Sequence, residues 1–185
     1  MRLLNTNIRK KQALFTVPVF FIFISLLLTD CKRPENKPFQ ETDEINEYLY
    51  GFYSGPKEFY AEGSLYIAPP LITPINLKSE DEKGKTYQIK GAYIGNVDNI
   101  DKDTVILFCH DGEFHIDYYF NKVKVLHHAG RTNNFGVLII DYKGLGLSDG
   151  QFSLASITED IKPGVQWLEN QGLTKDRFVL YGQGY

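Results

Sequence analysis

The sequence predicts an α/β fold whose core is a mostly parallel sheet with helices on both faces. Three short apolar runs, at residues 105–109, 135–140 and 177–181, are typical of buried central strands. The two segments between these runs repeat apolar side chains at helical spacing. Because strands alternate with helices along the chain, the three strands are expected to lie parallel in one sheet.

Two helices are predicted between the strands. The first covers residues 117–129 and ends at Gly130, a residue type that commonly follows a helix. The second begins at a capping box formed by Ser156 and Glu159 and ends at Gly172. Residues 163–164, a proline and a glycine, lie inside this second helix, so we expect it to kink or restart there.

The segment before the first central strand predicts an antiparallel pair. Residues 75–77 and 87–94 read as strands, and the charged residues 79–85 between them read as a solvated turn. Residues 44–66 are rich in tyrosine but show no regular period. We interpret them as short helical or irregular structure that packs on the first strands, in preference to a ligand site.

The N-terminal residues read as a targeting leader. A basic stretch at 9–11 precedes an apolar run at 13–28, which is short for a bilayer crossing. The residues that follow end in Cys31 and resemble a bacterial lipobox, whose cysteine carries lipid and becomes the new N-terminus. Asp30 departs from that pattern, so an uncleaved anchor and soluble secretion are the alternatives.

The predicted organisation follows from this leader. We expect a leader at residues 1–30, a polar tether at 31–43 and one domain at 44–185. The predicted location is the cell envelope, with Cys31 as the site of lipid attachment. If Cys31 carries lipid, Cys109 is left unpaired, and its place in an apolar strand indicates a small buried hydrophobic residue.

Composition fits one packed domain and excludes one class of partner. The chain has 185 residues, of which 43% are apolar, and this is enough to build a core. Its formal net charge is −3. An acidic chain gives no electrostatic basis for nucleic-acid binding.

Three loops follow the central strands, where ligands bind in sheets of this kind. The first and third loops carry these residues: His110, Asp111 and Gly112; Gly182, Gln183 and Gly184. The second, residues 141–148, reads Asp-Tyr-Lys-Gly-Leu-Gly-Leu-Ser. Together, residues 75–185 resemble the N-terminal half of the α/β-hydrolase family, and the second loop is the most specific part, with Lys143 where the family has arginine.

The resemblance implies a serine hydrolase lineage that acts on ester, thioester or amide bonds through an acyl-enzyme. Residues 110–112 would be the remnant of the oxyanion loop, and residues 182–184 the remnant of the nucleophile elbow, G-x-S-x-G. In the family, the acid and the histidine of the triad follow the elbow in the chain. The given sequence stops at Tyr185, before either residue could follow, so we predict a sheet truncated at the elbow.

Two residues depart from the family pattern at the expected site. Gly184 stands where the elbow needs a nucleophilic side chain. Asp111 replaces a glycine beside the oxyanion position, and a carboxylate there would oppose developing negative charge. The predicted catalytic set is therefore incomplete.

Three other patterns could suggest a functional site, and we do not interpret any of them as one. Residues 146–150 match G-x-S-x-G as a string, but Ser148 lies too far from its strand to form an elbow. His127 and His128 are adjacent, which is not the spacing of a zinc pair, and we interpret them as a solvated helix end. The Gly-rich turn at residues 182–184 could also begin a dinucleotide-binding motif, but too few of its positions are present. No cofactor and no metal site are predicted.

The functional prediction is a membrane-tethered α/β-hydrolase-like protein that is inactive as this chain. The alternatives are a non-catalytic binding lipoprotein, an enzyme that uses Ser148, and an active hydrolase completed by a missing C-terminal half. We expect the outer edge of residues 178–181 to pair with a second copy or with that missing half. The substrate and acyl specificity stay open.

Overall fold

The computed structural model describes residues 45–50, 65–130 and 135–184, which belong to the unit Phe39–Tyr185. Five strands and two helices follow one another along the chain. They are β1 Ile72–Glu80, β2 Thr86–Ile94, β3 Val105–Cys109, α1 Ile116–His127, β4 Gly136–Ile140, α2 Ile157–Asn170 and β5 Phe178–Gly182. The predicted leader, the tether and Cys31 lie outside the described residues.

The strands form one sheet in the order β1-β2-β4-β3-β5. β1 and β2 form an antiparallel hairpin, and β2 also pairs antiparallel with β4. β4, β3 and β5 pair in parallel. Within the described sheet, β2 alone runs against the other strands, so the predicted fold class is confirmed.

Both faces of the sheet are apolar because successive strand residues point to opposite sides. On one face, Leu107 and Leu138 pack in a cluster that includes Leu168 of α2. On the other face, Phe108 packs in a cluster that includes Phe120 of α1. The helices therefore cover both faces, as the sequence predicts.

The hairpin confirms the predicted strand pair but lengthens its first strand. β1 runs through Ser79, which is buried, so the solvated turn begins later than predicted. The side chain of Asp81 orders this turn by accepting hydrogen bonds from the backbone N–H groups of Lys83 and Lys85, each at 2.9 Å. Pro74 is tolerated in β1 because an edge strand can lack one N–H group.

The start of α2 differs from the prediction. Ser156 makes no side-chain capping bond to the helix, so the predicted capping box is wrong. Instead, the Oγ of Ser153 accepts a hydrogen bond from the N–H of Ser156 at 3.1 Å and caps a short 3-10 turn at Leu154–Ser156. The helix also continues through Pro163 without a restart.

The third predicted strand forms, but it is not buried. Val179 and Leu180 of β5 are exposed, with Leu180 at 61% of its full accessibility. In the described part of the chain, β5 pairs only with β3, so its other edge has no strand beside it. An apolar run shows that a strand is suited to burial, but it does not show which other elements cover that strand.

Candidate functional site at the carboxyl edge of the sheet

The ends of β3, β4 and β5 meet at one edge because these strands are parallel and in register. Leu107 of β3 lies beside Leu138 of β4 and Leu180 of β5. The loops that follow therefore converge. The N–H of Gln183 donates a hydrogen bond to the carbonyl of Cys109 at 2.9 Å, which brings the 182–184 turn against the 110–112 loop.

His110 is buried at this edge, and both faces and both nitrogens of its ring have neighbours. Its ring stacks between Tyr119 and Tyr142, with centroid distances of 4.6 and 4.7 Å. Its Nε2 lies 3.0 Å from the carbonyl of Ile140, and its Nδ1 accepts a hydrogen bond from the N–H of Gly112 at 3.2 Å. These partners assign the proton to Nε2 and leave neither nitrogen for a substrate.

Asp111 places a carboxylate where the resemblance expects an oxyanion loop. Its Oδ1 accepts hydrogen bonds from the phenol of Tyr119 and from the N–H of Glu113. Burial, together with this carboxylate, raises the pKa of Tyr119, so that phenol stays protonated and keeps donating. The loop therefore presents a carboxylate, whereas an oxyanion loop would present hydrogen-bond donors to a negative charge.

Gly184 occupies the middle position of the predicted elbow in a left-handed conformation, with φ at +104°. A Cβ atom placed there would overlap the Cβ of Asp111 and lie 3.1 Å from its Cα. A serine at this position would therefore need the 110–112 loop to move. The predicted nucleophile position therefore holds a glycine, and the space for a side chain is taken by Asp111.

A buried tyrosine–aspartate pair, which the sequence analysis did not identify, lies beside this edge. The hydroxyl of Tyr48 donates to Oδ2 of Asp141 at 2.7 Å and accepts a hydrogen bond from the N–H of Leu147 at 2.9 Å. Oδ1 of Asp141 has no hydrogen bond in the described part of the chain, and it lies 3.6 Å from Nε2 of His110. Burial, and next the Asp141 charge, raise the pKa of Tyr48.

Asp117 holds the same N-terminal segment at a second point. Its carboxylate accepts hydrogen bonds from the N–H groups of Leu49 and Tyr50, at 2.6 and 2.7 Å. Burial raises the pKa of Asp117, although these two bonds oppose the shift. Residues 48–50 of the tyrosine-rich stretch therefore pack on the domain, and two carboxylates anchor them.

The side chain of Ser148 forms hydrogen bonds with backbone groups. Its Oγ donates to the carbonyl of Asp141 at 2.8 Å and accepts from the N–H of Lys90 at 2.9 Å. The residue is buried in the loop that follows β4. This geometry agrees with the interpretation of Ser148 as a structural residue.

Lys143, which stands where the family pattern has arginine, also makes structural contacts. The ammonium of Lys143 lies 2.6 Å from Oε2 of Glu159 and 3.2 Å from Oδ1 of Asp160. Burial alone would lower the pKa of Lys143, but these two carboxylates raise it. Lys143 therefore ties the second loop to the first turn of α2.

Cys109 and His127 both show structural roles. Cys109 is a free, half-buried thiol, and burial raises its pKa to about 11. Nδ1 of His127 lies 2.6 Å from the carbonyl of Phe135, and His127 is buried, so the predicted solvated helix end is wrong for this residue. Among the described residues, no group of three potential ligands could hold a metal ion, and no helix is long and apolar enough to cross a membrane.

Comparison with known proteins gives matches at the level of structure only. No protein-family model matches the chain, and neither does any curated protein. An esterase of Pyrococcus furiosus is 17% identical, covering 66% of this chain and 42% of its own, with a TM-score of 0.45. An α/β-hydrolase of Vibrio vulnificus is 18% identical, covering 60% and 34%, with a TM-score of 0.45.

A third similar structure is the thermophilic carboxylesterase EstE1 from a metagenomic library. It is 16% identical, covering 65% of this chain and 40% of its own, with a TM-score of 0.43. This chain spans less than half the length of each of these three structures. Its own sheet order and its helices on both faces show a mixed α/β fold, as the sequence predicts.

Proposed function

We propose that this chain is a membrane-tethered protein of the serine ester or amide hydrolase lineage and that its own residues do not catalyse hydrolysis. The observation that carries the proposal is the contact between Gly184 and Asp111. The elbow position has no side chain, and the Cβ of Asp111 leaves no room for one. The half-sheet would then act as a scaffold and a binding surface.

The remaining groups at the edge support the same proposal. A serine nucleophile needs an adjacent base within hydrogen-bond reach. Both nitrogens of His110 face backbone groups, and the hydroxyl of Ser148 bonds to two others. The carboxylate of Asp111 would repel the oxyanion of an acyl-transfer intermediate.

A fluorophosphonate probe and a p-nitrophenyl ester test the lack of activity. The purified full chain should take up no probe and should hydrolyse the ester no faster than buffer does. Gly184→Ser should also stay unlabelled, because its hydroxyl has neither space nor a base. Stoichiometric labelling of the chain would overturn the proposal, and loss of that labelling in Ser148→Ala would identify the nucleophile.

The tether is a separate part of the proposal and has its own test. The basic, apolar and cysteine residues of the leader support lipid attachment at Cys31. Mass spectrometry of the membrane-extracted protein should show a diacylated N-terminal cysteine. An intact Met1 terminus would instead favour an uncleaved anchor.

One alternative is favoured by a specific observation. The outer edge of β5 is open among the described residues, and the side-chain oxygen of Gln183, the residue after β5, is buried without a described partner. Further strands that carry a late acid and a histidine would fit this edge and complete a hydrolase. The nucleotide sequence beyond codon 185 tests this, since a reading frame that encodes such strands would favour completion over an inactive scaffold.

A further inference from the structure

A cavity of about 220 Å³ lies on the α1 face of the sheet, beside the first half of β1. Ile72 and Phe120 contribute to its walls. Ile72 pairs with Ile94, and Ile94 pairs with Val137 near the start of β4. The cavity therefore lies toward the amino ends of the parallel strands, away from the loops at the carboxyl edge.

The lining of the cavity is apolar and aromatic, with one cation. Lys124, on α1, supplies the only charged side chain among the lining residues that the structure describes. Its ammonium forms no hydrogen bond and no ion pair with any described residue. Burial lowers the pKa of this amine, because an apolar surrounding disfavours the charged form.

One wall of the cavity is fixed by the carboxylate described above. Asp117 accepts the N–H of Tyr50 at 2.7 Å and holds that residue at φ 45°, a conformation that few non-glycine residues adopt. The ring of Tyr50 lies 6.1 Å from the ring of Phe120. The side chain of Tyr66, another lining residue, is exposed to solvent.

We infer that this cavity binds a small carboxylate with a short apolar chain. The carboxylate would pair with Lys124, and the chain would lie against Ile67, Ile72 and Phe120. An anion with an apolar body matches a site whose described residues form apolar walls and supply one cation, which none of them pairs. The volume equals about seven water molecules at about 30 Å³ each, which suits an acid with a handful of carbons.

Calorimetric titration of the full chain in detergent with hexanoate tests this inference, with hexanol as the uncharged probe. We expect one saturable hexanoate site per chain, which binds hexanol at least about tenfold more weakly, because a bond between charged groups is stronger than a neutral one. Lys124→Met should weaken hexanoate binding by about tenfold or more and leave hexanol unchanged. Lys162→Met, the same change on the exposed side of α2, should bind hexanoate like the unaltered chain.

A second variant tests the cavity itself. Leu49 is an exposed lining residue, so Leu49→Trp should keep the fold and fill part of the cavity, and it should weaken both probes. Circular dichroism of each variant shows whether it has folded. Non-saturable titration, equal affinity for hexanoate and hexanol, or unchanged binding in folded Lys124→Met or Leu49→Trp would each overturn the inference. None of these outcomes depends on whether the carboxyl edge is catalytic.

Discussion

Gly184 and Asp111 share one small volume at the carboxyl edge of the sheet. The glycine adopts φ +104°, and a Cβ atom added to it would meet the Cβ of Asp111. In the α/β-hydrolase pattern the corresponding positions hold a nucleophile and a glycine. This chain differs from that pattern at both positions, and the two differences fit each other, because the glycine leaves free the space that the aspartate occupies.

Gly184→Ala should therefore destabilise the chain, and Asp111→Gly should relieve part of that cost. Strain at a left-handed position is worth about 1–3 kcal/mol, so we expect a loss of about 2 kcal/mol in the free energy of unfolding. A double-mutant cycle in urea should show favourable coupling between Gly184→Ala and Asp111→Gly. Asp111→Ala is the matched control, since it retains the Cβ atom and should show no such coupling. Equal coupling for both would contradict this account.

His127 gives a prediction about pH. Burial is the largest cause that lowers its pKa below the ordinary value, so the folded state prefers the neutral ring. The unfolded chain binds a proton as the pH falls through about 6.5, and the free energy of unfolding should fall from there toward the folded pKa. Urea unfolding between about pH 7.5 and 5.5 should show this decline, and His127→Gln should show a smaller one. An identical slope in the variant would assign the dependence to other groups.

The loop between β4 and α2 is held by polar contacts at two points. Lys143 binds Glu159 and Asp160 of α2, and Asp160 also accepts hydrogen bonds from Ser79 of β1 and from the N–H of Lys143, at 2.8 and 2.9 Å. In the middle of the loop, Ser148 bonds to the backbone of β2. These contacts tie the loop to α2 and to the two strands on one side of β4.

Asp160→Ala should cost far more than Glu159→Ala, although the two residues are adjacent. The side chain of Asp160 is fully buried, while that of Glu159 is 23% exposed. Loss of one partner of a buried charged pair typically costs about 3–5 kcal/mol, whereas a partly exposed pair is worth about 1 kcal/mol or less. Chemical denaturation of both variants checks this. Similar losses would show that the buried network does not anchor the loop.

Local patterns predicted the elements well and their ends less well. Alternation predicted the hairpin, and apolar runs predicted β3, β4 and β5, because each signal lies within one segment. The capping box failed because Ser153, three residues earlier, ends the preceding loop instead. The convergence of the three loops followed from parallel strands. The Tyr48–Asp141 bond could not be predicted, because it joins residues that lie far apart in the sequence and have no shared pattern.

At the scale of the molecule, the described sheet has two unequal edges. β1 carries Pro74 and ends in a charged turn, both of which discourage pairing with another chain. β5 carries no charged residue and leaves Val179 and Leu180 exposed. An uncharged and apolar edge can pair with a strand from another molecule.

Leu180→Lys should therefore reduce self-association of the full chain. Burial of a leucine is worth about 1.5–3 kcal/mol, so association should require a concentration about tenfold higher. Size-exclusion chromatography with light scattering in detergent measures this. Leu154→Lys is the control, because Leu154 is similarly exposed, at 55%, but lies outside the sheet. Equal effects of the two changes would show that the chains associate through another surface. If the unaltered chain is a monodisperse monomer, this edge does not pair with a second copy.

The order of strands in the sheet has a consequence for the chain while it is being synthesised. β4 inserts between β2 and β3, which both precede it, and β5 pairs with β3 only after about seventy further residues have been added. At about 5–20 residues per second, β3 waits several seconds with one side unpaired. The hairpin can close early, but β3 depends on later neighbours on both sides. A nascent chain of this topology offers an apolar strand to chaperones until β5 has left the ribosome.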